Sequence, residues 1–360
     1  MPIVVNSNTT ATTASFNLSH ANDALRKSLA RLSSGNRIVN PADDAGGMAV
    51  AYKLNSKLKR TEAVRQNVQN GISYLQVQDG ALSTIAKIAD RMSELRTMAS
   101  DITKNTGDVE NYSKEFIELQ RQLNQIRHEK FNGISLFATS QSLPTTTPPE
   151  LRPHLKKQGL TLDESGRGYA KFSREILTTA DGVRQDGHVS LNVVNLQYML
   201  SLGQVDSRFV SAATGTAVNV TGQTGEVIAG RPVYVNLGNV DNGNQDDFGG
   251  PGTTANNEVY TSDGFLRSIM FVSMASFVDV IERIADARAE NGAEQNRLSM
   301  TSALLMQNQT NLEAAHGRIM DADVALESTR FARQNVLVQS SAAMVAQANQ
   351  LTSIALTVLG

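Results

Sequence analysis

The sequence predicts a mainly α fold: a long antiparallel coiled coil and helical bundle made from paired N- and C-terminal arms, with a central α+β insert. Three observations carry this prediction. Both ends of the 360-residue chain contain heptad rows of small and apolar residues, and residues 266–360 contain no proline. Residues 140–265 hold six of the eight prolines and sixteen of the 26 glycines. Helical arms therefore flank a middle segment rich in residues that end helices.

The first arm carries a thin heptad row. Its members recur at alternating spacings of three and four: Ala11, Ala14, Leu18, Ala21, Leu25, Ser28 and Leu32. A row with this average period keeps facing a partner only when two helices supercoil. Burial of each leucine contributes about 1.5–3 kcal/mol, whereas ordering the backbone costs about 1–2 kcal/mol per residue. We therefore expect both terminal helices to be disordered in the free chain and to become ordered in an assembly.

Further apolar rows predict the remaining helices. The second helix has Val68, Ile72, Leu75, Leu82, Ile85, Ile88, Met92 and Leu95. The third has Val109, Tyr112, Phe116, Leu119, Leu123 and Ile126. After the insert, a large aliphatic residue recurs every seven positions, at Leu298, Leu305, Leu312 and Ile319. The C-terminal arm has Leu337, Ser341, Met344, Ala348, Leu351, Ala355 and Val358.

Cap and turn residues separate the predicted helices. Gly35 tolerates the left-handed conformation that ends a helix, so the first helix should end beside it. The Asn40-Pro41 pair disfavours helix at Asn40, and Asp43 and Asp44 suit the start of the next helix. Asp108 is predicted to cap the third helix.

The insert is predicted to contain a few short strands. Residues 131–133, Phe-Asn-Gly, indicate a turn that leads out of the bundle. Residues 143–153 have the composition of a Pro/Thr linker. Residues 189–193 and 231–237 alternate between apolar and polar side chains, which is typical of strands.

Composition and motif spacing exclude several functional classes. The chain has no cysteine, which excludes disulfides, thiolate metal sites and a cysteine nucleophile. A net charge of −2 argues against nucleic acid as a main partner. His128 and Glu129 begin a zinc-protease motif, but Asn132 stands where the second histidine is needed. We predict no enzyme, no catalytic residue, no metal and no cofactor.

The sequence also predicts no membrane segment. Residues 1–19 lack the basic region and solid apolar run of a cleaved signal peptide. The uncharged tail, residues 334–360, is long enough to span a bilayer. Several glutamines and asparagines interrupt it, however, and their burial in lipid would be costly. We therefore predict that a membrane is not a partner.

Two long motifs stand in the helical arms, one near each end of the chain. The N-terminal motif reads LARLSSGNRI at residues 29–38 and NPADDAGG at residues 40–47. The C-terminal motif reads RIMDADVALES at residues 318–328 and AMVAQANQ at residues 343–350. Together these motifs resemble those of bacterial flagellin. The resemblance covers residues 1–139 and 266–360, and the insert resembles no family that we can name.

This resemblance implies a subunit that polymerises into the bacterial flagellar filament for motility, by coiled-coil pairing of terminal helices between subunits. It implies nested domains: residues 1–40 with 325–360 as an inner-tube coiled coil, residues 41–139 with 266–324 as a helical rod, and residues 140–265 as a variable surface insert. Flagellins are exported unfolded, without a cleaved signal, by the flagellar type III apparatus. The implied location is extracellular, and the implied partners are further copies of the chain, an export chaperone and the filament cap.

Three sets of candidate site residues follow. The polymerisation seam consists of Leu18, Leu25, Leu32, Leu337, Met344, Leu351 and Val358. The spoke that joins inner tube to rod is expected to make subunit contacts through Arg31, Arg37, Asn40, Pro41, Asp43 and Asp44. A patch for the flagellin-sensing innate immune receptor is only partly matched, by Arg91, Glu94, Leu95 and Glu118.

Other functions are compatible with helical arms at both ends. The hook–filament junction protein belongs to the same superfamily, and a secreted coiled-coil adhesin or translocator would show similar heptads. An enzyme carried in the insert is a third alternative, against which the missing zinc motif argues. The intact NPADD and AMVAQANQ segments favour the filament subunit.

Overall fold

A computed structural model describes residues 8–138, 155–162, 168–181, 187–202, 209–210, 217–218, 236–238, 261 and 265–359. The chain divides into two compact units, residues 1–62 with 305–360 and residues 63–304. The first unit is thus made from both ends of the chain.

Most described residues are helical, which confirms the predicted fold class. The helices are α1 (Thr9–Ser34), α2 (Ala45–Ala99), α3 (Thr106–Arg127), α4 (Leu196–Met199), α5 (Met274–Met320) and α6 (Val324–Leu359). A 3-10 turn covers Ile269–Phe271. The strands are β1 (Lys130–Phe131), β2 (Ile134–Ser135), β3 (Leu155–Leu162), β4 (Gly168–Leu177), β5 (His188–Val193), β6 (Phe209–Val210) and β7 (Ala217–Val218).

In the first unit, α1 and α6 pack against each other in antiparallel directions. At one end, the Asn8 side-chain amide donates to the Ala348 carbonyl oxygen at 2.8 Å. At the other end, the Ala322 N–H donates to the Gly35 carbonyl oxygen at 2.9 Å. Gly35 has a φ of 69° and ends α1 in the left-handed conformation, as predicted.

In the second unit, α2, α3 and α5 pack around an apolar core. Phe116 of α3 and Phe277 of α5 meet edge to face, with ring centroids 6.4 Å apart. Asn291 of α5 donates to the Leu75 carbonyl oxygen of α2 at 3.1 Å. The apolar rows predicted for α2 and α3 face this core. Their fully buried members include Leu75, Leu82, Ile85, Met92, Leu95, Phe116 and Leu123.

The start of α3 differs from the prediction by three residues. Asn105, not Asp108, is the N-cap, and its side chain accepts from the Asp108 N–H. The Asp108 carboxylate accepts in return from the Asn105 N–H at 3.2 Å. This capping box satisfies two N–H groups of the first turn, and Asp108 is its third residue rather than its first.

The described part of the insert contains a three-stranded antiparallel sheet, with β4 between β3 and β5. Inward and outward side chains alternate along β5, which covers the strand predicted at residues 189–193. The predicted turn at residues 131–133 joins β1 to β2, and both Asn132 and Gly133 have positive φ. The predicted linker at residues 143–153 and residues 231–235 of the second predicted strand lie outside the described residues.

Candidate functional site: the paired terminal helices and their linker

The contact between α1 and α6 buries one heptad row from each helix. The predicted row of α1 faces inward: Ala21 and Ser28 are buried, and Leu18, Leu25 and Leu32 are half-buried. On α6, the only described residues from 324 to 350 that are not exposed are Glu327, Phe331, Gln334, Val338, Ser341, Val345 and Ala348. Their spacing alternates between four and three. These two rows together are called the inner seam below.

Two residues predicted for the seam of α6 lie outside the inner seam. Leu337 is 41% exposed and Met344 is 58% exposed. The helix carries two apolar rows of similar spacing, and α1 packs on the row that contains Phe331, Val338 and Val345. Leu351 and Val358 lie within α6, but their side chains are outside the described part of the chain.

The helix pair exposes further large apolar side chains. Phe16, Leu29 and Val336 are each more than half exposed. These large exposed apolar side chains are candidates for contact with another protein chain. An open groove of about 460 Å³ lies between α1 and α6. It is lined by Ala14 and Met344 and otherwise by threonine, serine and asparagine.

One ionic cluster interrupts the inner seam. The Ser28 hydroxyl donates to Glu327 at 2.7 Å, and both residues are buried. Arg330 donates to the other carboxylate oxygen at 3.3 Å, and an Arg31 guanidinium nitrogen lies 3.9 Å from it. Sequence reasoning missed Glu327, although it is the last acidic residue of the chain and stands in heptad register with Phe331.

The linker after α1 is fastened to the connection between α5 and α6. Arg37 donates from its backbone N–H to the Met320 carbonyl oxygen at 2.5 Å and from its Nε to the Ile319 carbonyl oxygen at 3.1 Å. Asn36 and Asp321 form an antiparallel bridge beside it. Arg37 thereby satisfies carbonyl groups at the C-terminal end of α5, which helix geometry leaves unpaired.

The other predicted spoke residues have contacts within the chain or are exposed. Lys27 binds Asp43 at 2.6 Å, and this hydrogen bond holds the pKa of Asp43 below its usual value. The Asp44 carboxylate accepts from the Gly47 N–H at 2.8 Å, which caps the start of α2. Asn40 and Pro41 are exposed.

In the second unit, the residues predicted for an innate-receptor patch divide into two groups. Arg91 donates to Glu115 at 2.8 Å and to Glu94 at 3.1 Å, and these ion pairs raise the pKa of Arg91. These side chains and Glu118 are exposed. Leu95 is fully buried because it belongs to the core row of α2. Its inclusion in a surface patch is therefore wrong.

A half-buried carboxylate links the insert to α5 in the same unit. Glu294 accepts from the backbone N–H of Asn192 in β5 at 2.8 Å, and its other oxygen is buried without a hydrogen-bond partner. One turn earlier, Glu290 accepts from the Asn192 side chain at 2.5 Å and lies 3.6 Å from the Lys171 ammonium. Burial raises the pKa of Glu294 to about 7. Sequence reasoning missed this contact, since charges one turn apart usually lie on a solvated face.

Among the described residues, no group of three or more histidine, aspartate or glutamate side chains is arranged to hold a metal ion. No helix in the described ranges is long and apolar enough to cross a membrane.

Comparison with known proteins identifies the family. Residues 5–142 match the family model described as the bacterial flagellin N-terminal helical region, and residues 276–358 match that of the C-terminal helical region. The chain is 29% identical to flagellin A of Vibrio anguillarum, with both chains fully covered. It is 28% identical to the flagellin of Bacillus subtilis strain 168, with 96% of each chain covered.

Among solved structures, Bacillus cereus flagellin aligns with 70% of this chain and 94% of its own, at 23% identity and a TM-score of 0.34. The two family models together cover both helical arms, and the two relatives match over 96% or more of their lengths. The chain belongs to the bacterial flagellin family and is a structural subunit of the extracellular flagellar filament.

Proposed function

We propose that this subunit joins the filament through the outward faces of its paired terminal helices. The observation that carries the proposal is that Leu337 and Met344 are exposed although the inner seam is already formed within the chain. These two residues are called the outer row of α6 below, and Leu351 and Val358 continue its spacing of seven in the sequence. Phe16 and Leu29 supply exposed apolar surface on α1.

The two rows have different roles because one is packed within the chain and the other is exposed. The inner seam holds α1 to α6, with Leu18, Leu25 and Leu32 as its large residues on α1. The outer row is left for neighbouring subunits, because about half of each of its described side chains faces solvent in the single chain. In the assembled subunit, the inner seam then pairs the terminal helices within one chain, and the outer row contacts other chains.

The spoke residues position the linker. Arg37, Asp43 and Asp44 already have partners within the chain, and Arg31 lies beside Glu327. These four residues support the proposal because their contacts hold the linker between α1 and α2 in place. Asn40 and Pro41 are exposed and are left as the linker residues that contact a neighbouring subunit.

The nested domain layout remains part of the proposal. Residues 1–40 with 325–360 would form the inner tube, residues 41–139 with 266–324 the rod, and residues 140–265 the outer surface. The family implies export without a cleaved signal, delivery by an export chaperone and addition beneath a filament cap. The absence of cysteine suits a chain that passes unfolded to the cell exterior. We infer a structural role without catalysis.

A patch for an innate immune receptor remains a narrower proposal. Without Leu95 it consists of Arg91, Glu94 and Glu118 on exposed surfaces of α2 and α3. A reporter-cell assay with pure monomer tests it directly, since the absence of a response would end the proposal.

Seeded elongation tests the main proposal. Heat-dissociated monomer is added to short fragments of filaments grown from the same protein, and their length is followed by electron microscopy. We expect the full chain to elongate the seeds. A chain that lacks its last twenty or so residues should not do so, because it has lost Leu351, Val358 and the end of the outer row. Elongation by the truncated chain would show that the proposed mechanism is wrong.

A further inference from the structure

We propose that the Ser28–Glu327 contact fixes the heptad register in which α1 and α6 pair. Glu327 is 5% exposed and Ser28 is 6% exposed, so their hydrogen bond lies inside the inner seam. Glu327 is the only acidic residue of that seam and stands in the first turn of α6. This inference deepens the proposed function, since the register decides which side chains are presented to neighbouring subunits.

Two side-chain contacts between the helices report the observed register, and the backbone contacts of Gly35 with Ala322 and of Arg37 with Met320 lie just beyond one end of the pair. Ser28 faces Glu327 near one end, and Asn8 binds the Ala348 carbonyl near the other. Counting between them along both heptad rows pairs residues in the following layers: Leu25 with Phe331, Ala21 with Gln334, Leu18 with Val338, Ala14 with Ser341 and Ala11 with Val345.

Apolar packing alone does not select this register. In a slip of one heptad, each residue of α6 would face the α1 residue seven positions later in the sequence. Leu32 would then pair with Phe331, Leu25 with Val338 and Leu18 with Val345. The slipped helices would have three layers of two large apolar residues, against two in the observed pair. Small residues at most other layers fit one another in either arrangement. Heptad repeats of this kind need a polar residue to specify one alignment.

The ionic cluster supplies that selection. In the slipped pair, Glu327 would face Gly35 at the end of α1, and Ser28 would face Gln334. A slip in the opposite direction would put Glu327 against Ala21, which has no donor. Arg330, on the same helix as Glu327, would stay beside the carboxylate in every register, but the Ser28 hydroxyl would not. Loss of this buried donor disfavours the slipped registers. The observed register is the one in which this carboxylate meets a hydroxyl group.

Register has a direct consequence for assembly. A slip of seven residues displaces the outer row of α6 along α1 by about 10 Å. The exposed Leu337 and Met344 would then stand beside different residues of α1, and a neighbouring subunit would meet a different surface. Ser28 and Glu327 are in this sense positioning residues for the polymerisation surface.

The absence of native cysteine allows the register to be read by crosslinking. The pair Ala14→Cys/Ser341→Cys reports the observed register, and the pair Ala21→Cys/Ser341→Cys reports the slipped one. Each pair is placed in the full-length chain, and the free chain is oxidised at low concentration. Intramolecular disulfides are quantified by peptide mass spectrometry. The disulfide traps whichever pairing forms, so the ratio of the two products reads the register even when only a fraction of chains is paired.

The test variant is Ser28→Ala/Glu327→Leu, which replaces the polar contact with an apolar one and so keeps the helices paired. We expect the observed-register product to dominate in the parent and its excess over the slipped product to fall about tenfold or more in the variant. A matched control, Ser19→Ala/Glu313→Leu, makes the same changes at exposed positions and should keep the parent ratio. Glu327→Gln, which retains an acceptor for Ser28, should remain within about threefold of the parent.

Two results would overturn the inference. One is a ratio near one in the parent, which would mean that no register is selected. The other is an unchanged ratio in Ser28→Ala/Glu327→Leu, which would mean that other contacts select it. Failure of the proposed function is distinguishable, since it would appear as a parent chain that keeps its crosslinking ratio but does not elongate seeds.

Discussion

Replacing the outer row of α6 with polar residues should weaken filament growth without altering the free chain. The double variant Leu337→Gln/Met344→Gln keeps good helix formers at both positions. Because Leu337 is 41% exposed and Met344 is 58% exposed, the single chain leaves about half of each side chain to be covered on assembly. Full burial of such side chains contributes about 1.5–3 kcal/mol each. The uncovered halves together should contribute about 2 kcal/mol per added subunit.

This magnitude converts directly into a measurable concentration. A loss of about 2 kcal/mol should raise the critical concentration for elongation about 30-fold. The assay measures unpolymerised subunit by sedimentation after seeded growth at a series of total concentrations. Far-UV circular dichroism of the free variant should match that of the parent, which would separate a loss of assembly from a loss of folding.

A control variant defines the background of the assay. Gln339→Ala/Gln347→Ala changes two exposed polar residues of the same helix, and its critical concentration should stay within about threefold of the parent. The reasoning would be refuted by an outer-row variant whose critical concentration is equally close to that of the parent while its helical content is unchanged.

Three further predictions concern stability. Because the pKa of Glu294 is raised to about 7, its contribution to the stability of the second unit is fully present below about pH 4.5 and is lost as the pH rises through 7. Urea unfolding should show this fall in stability with rising pH. In Glu294→Gln the stability should change less between pH 5 and pH 8. Gln120 accepts from the Leu266 N–H at 3.0 Å and donates to the Leu266 carbonyl at 2.9 Å. Gln120→Leu should therefore destabilise the second unit by about 2–4 kcal/mol in the same urea assay. An effect below about 0.5 kcal/mol would contradict a stabilising role for these two hydrogen bonds. Gly35→Ala should cost about 1 kcal/mol at its positive φ, measured as a lower dissociation temperature of filaments; an unchanged temperature would mean that the linker adapts.

The sequence predicted most of the helical framework, because apolar periodicity reports burial on a helix face. The rows of α2 and α3 face the core as expected, and so does the row of α1. On α6 the predicted row shares Ser341 and Ala348 with the row in contact with α1, but the large residues of that contact, Phe331, Val338 and Val345, are not in the prediction. Both rows have heptad spacing, and the row that packs on α1 is the one that contains Glu327, whose buried contact is with Ser28. A contact between residues 299 positions apart in the sequence cannot be read from spacing within either helix.

The misassigned site residues have a similar cause. Leu95 was grouped with surface residues through a resemblance, although its own heptad position places it in the core. Asp108 was predicted as a cap from its position after a glycine, but Asn105 provides the first acceptor of the helix. Glu294 gave no signal in the sequence, because its environment is created by a strand of the insert.

Amide hydrogen exchange before and after polymerisation tests most directly whether the terminal helices are the assembling elements. We predict rapid exchange over residues 9–34 and 324–350 in the dilute free chain and strong protection of both segments in the filament. The cores of α2 and α3 should be protected in both states. Strong protection of residues 9–34 before assembly, or no gain of protection over either terminal helix in the filament, would contradict the account.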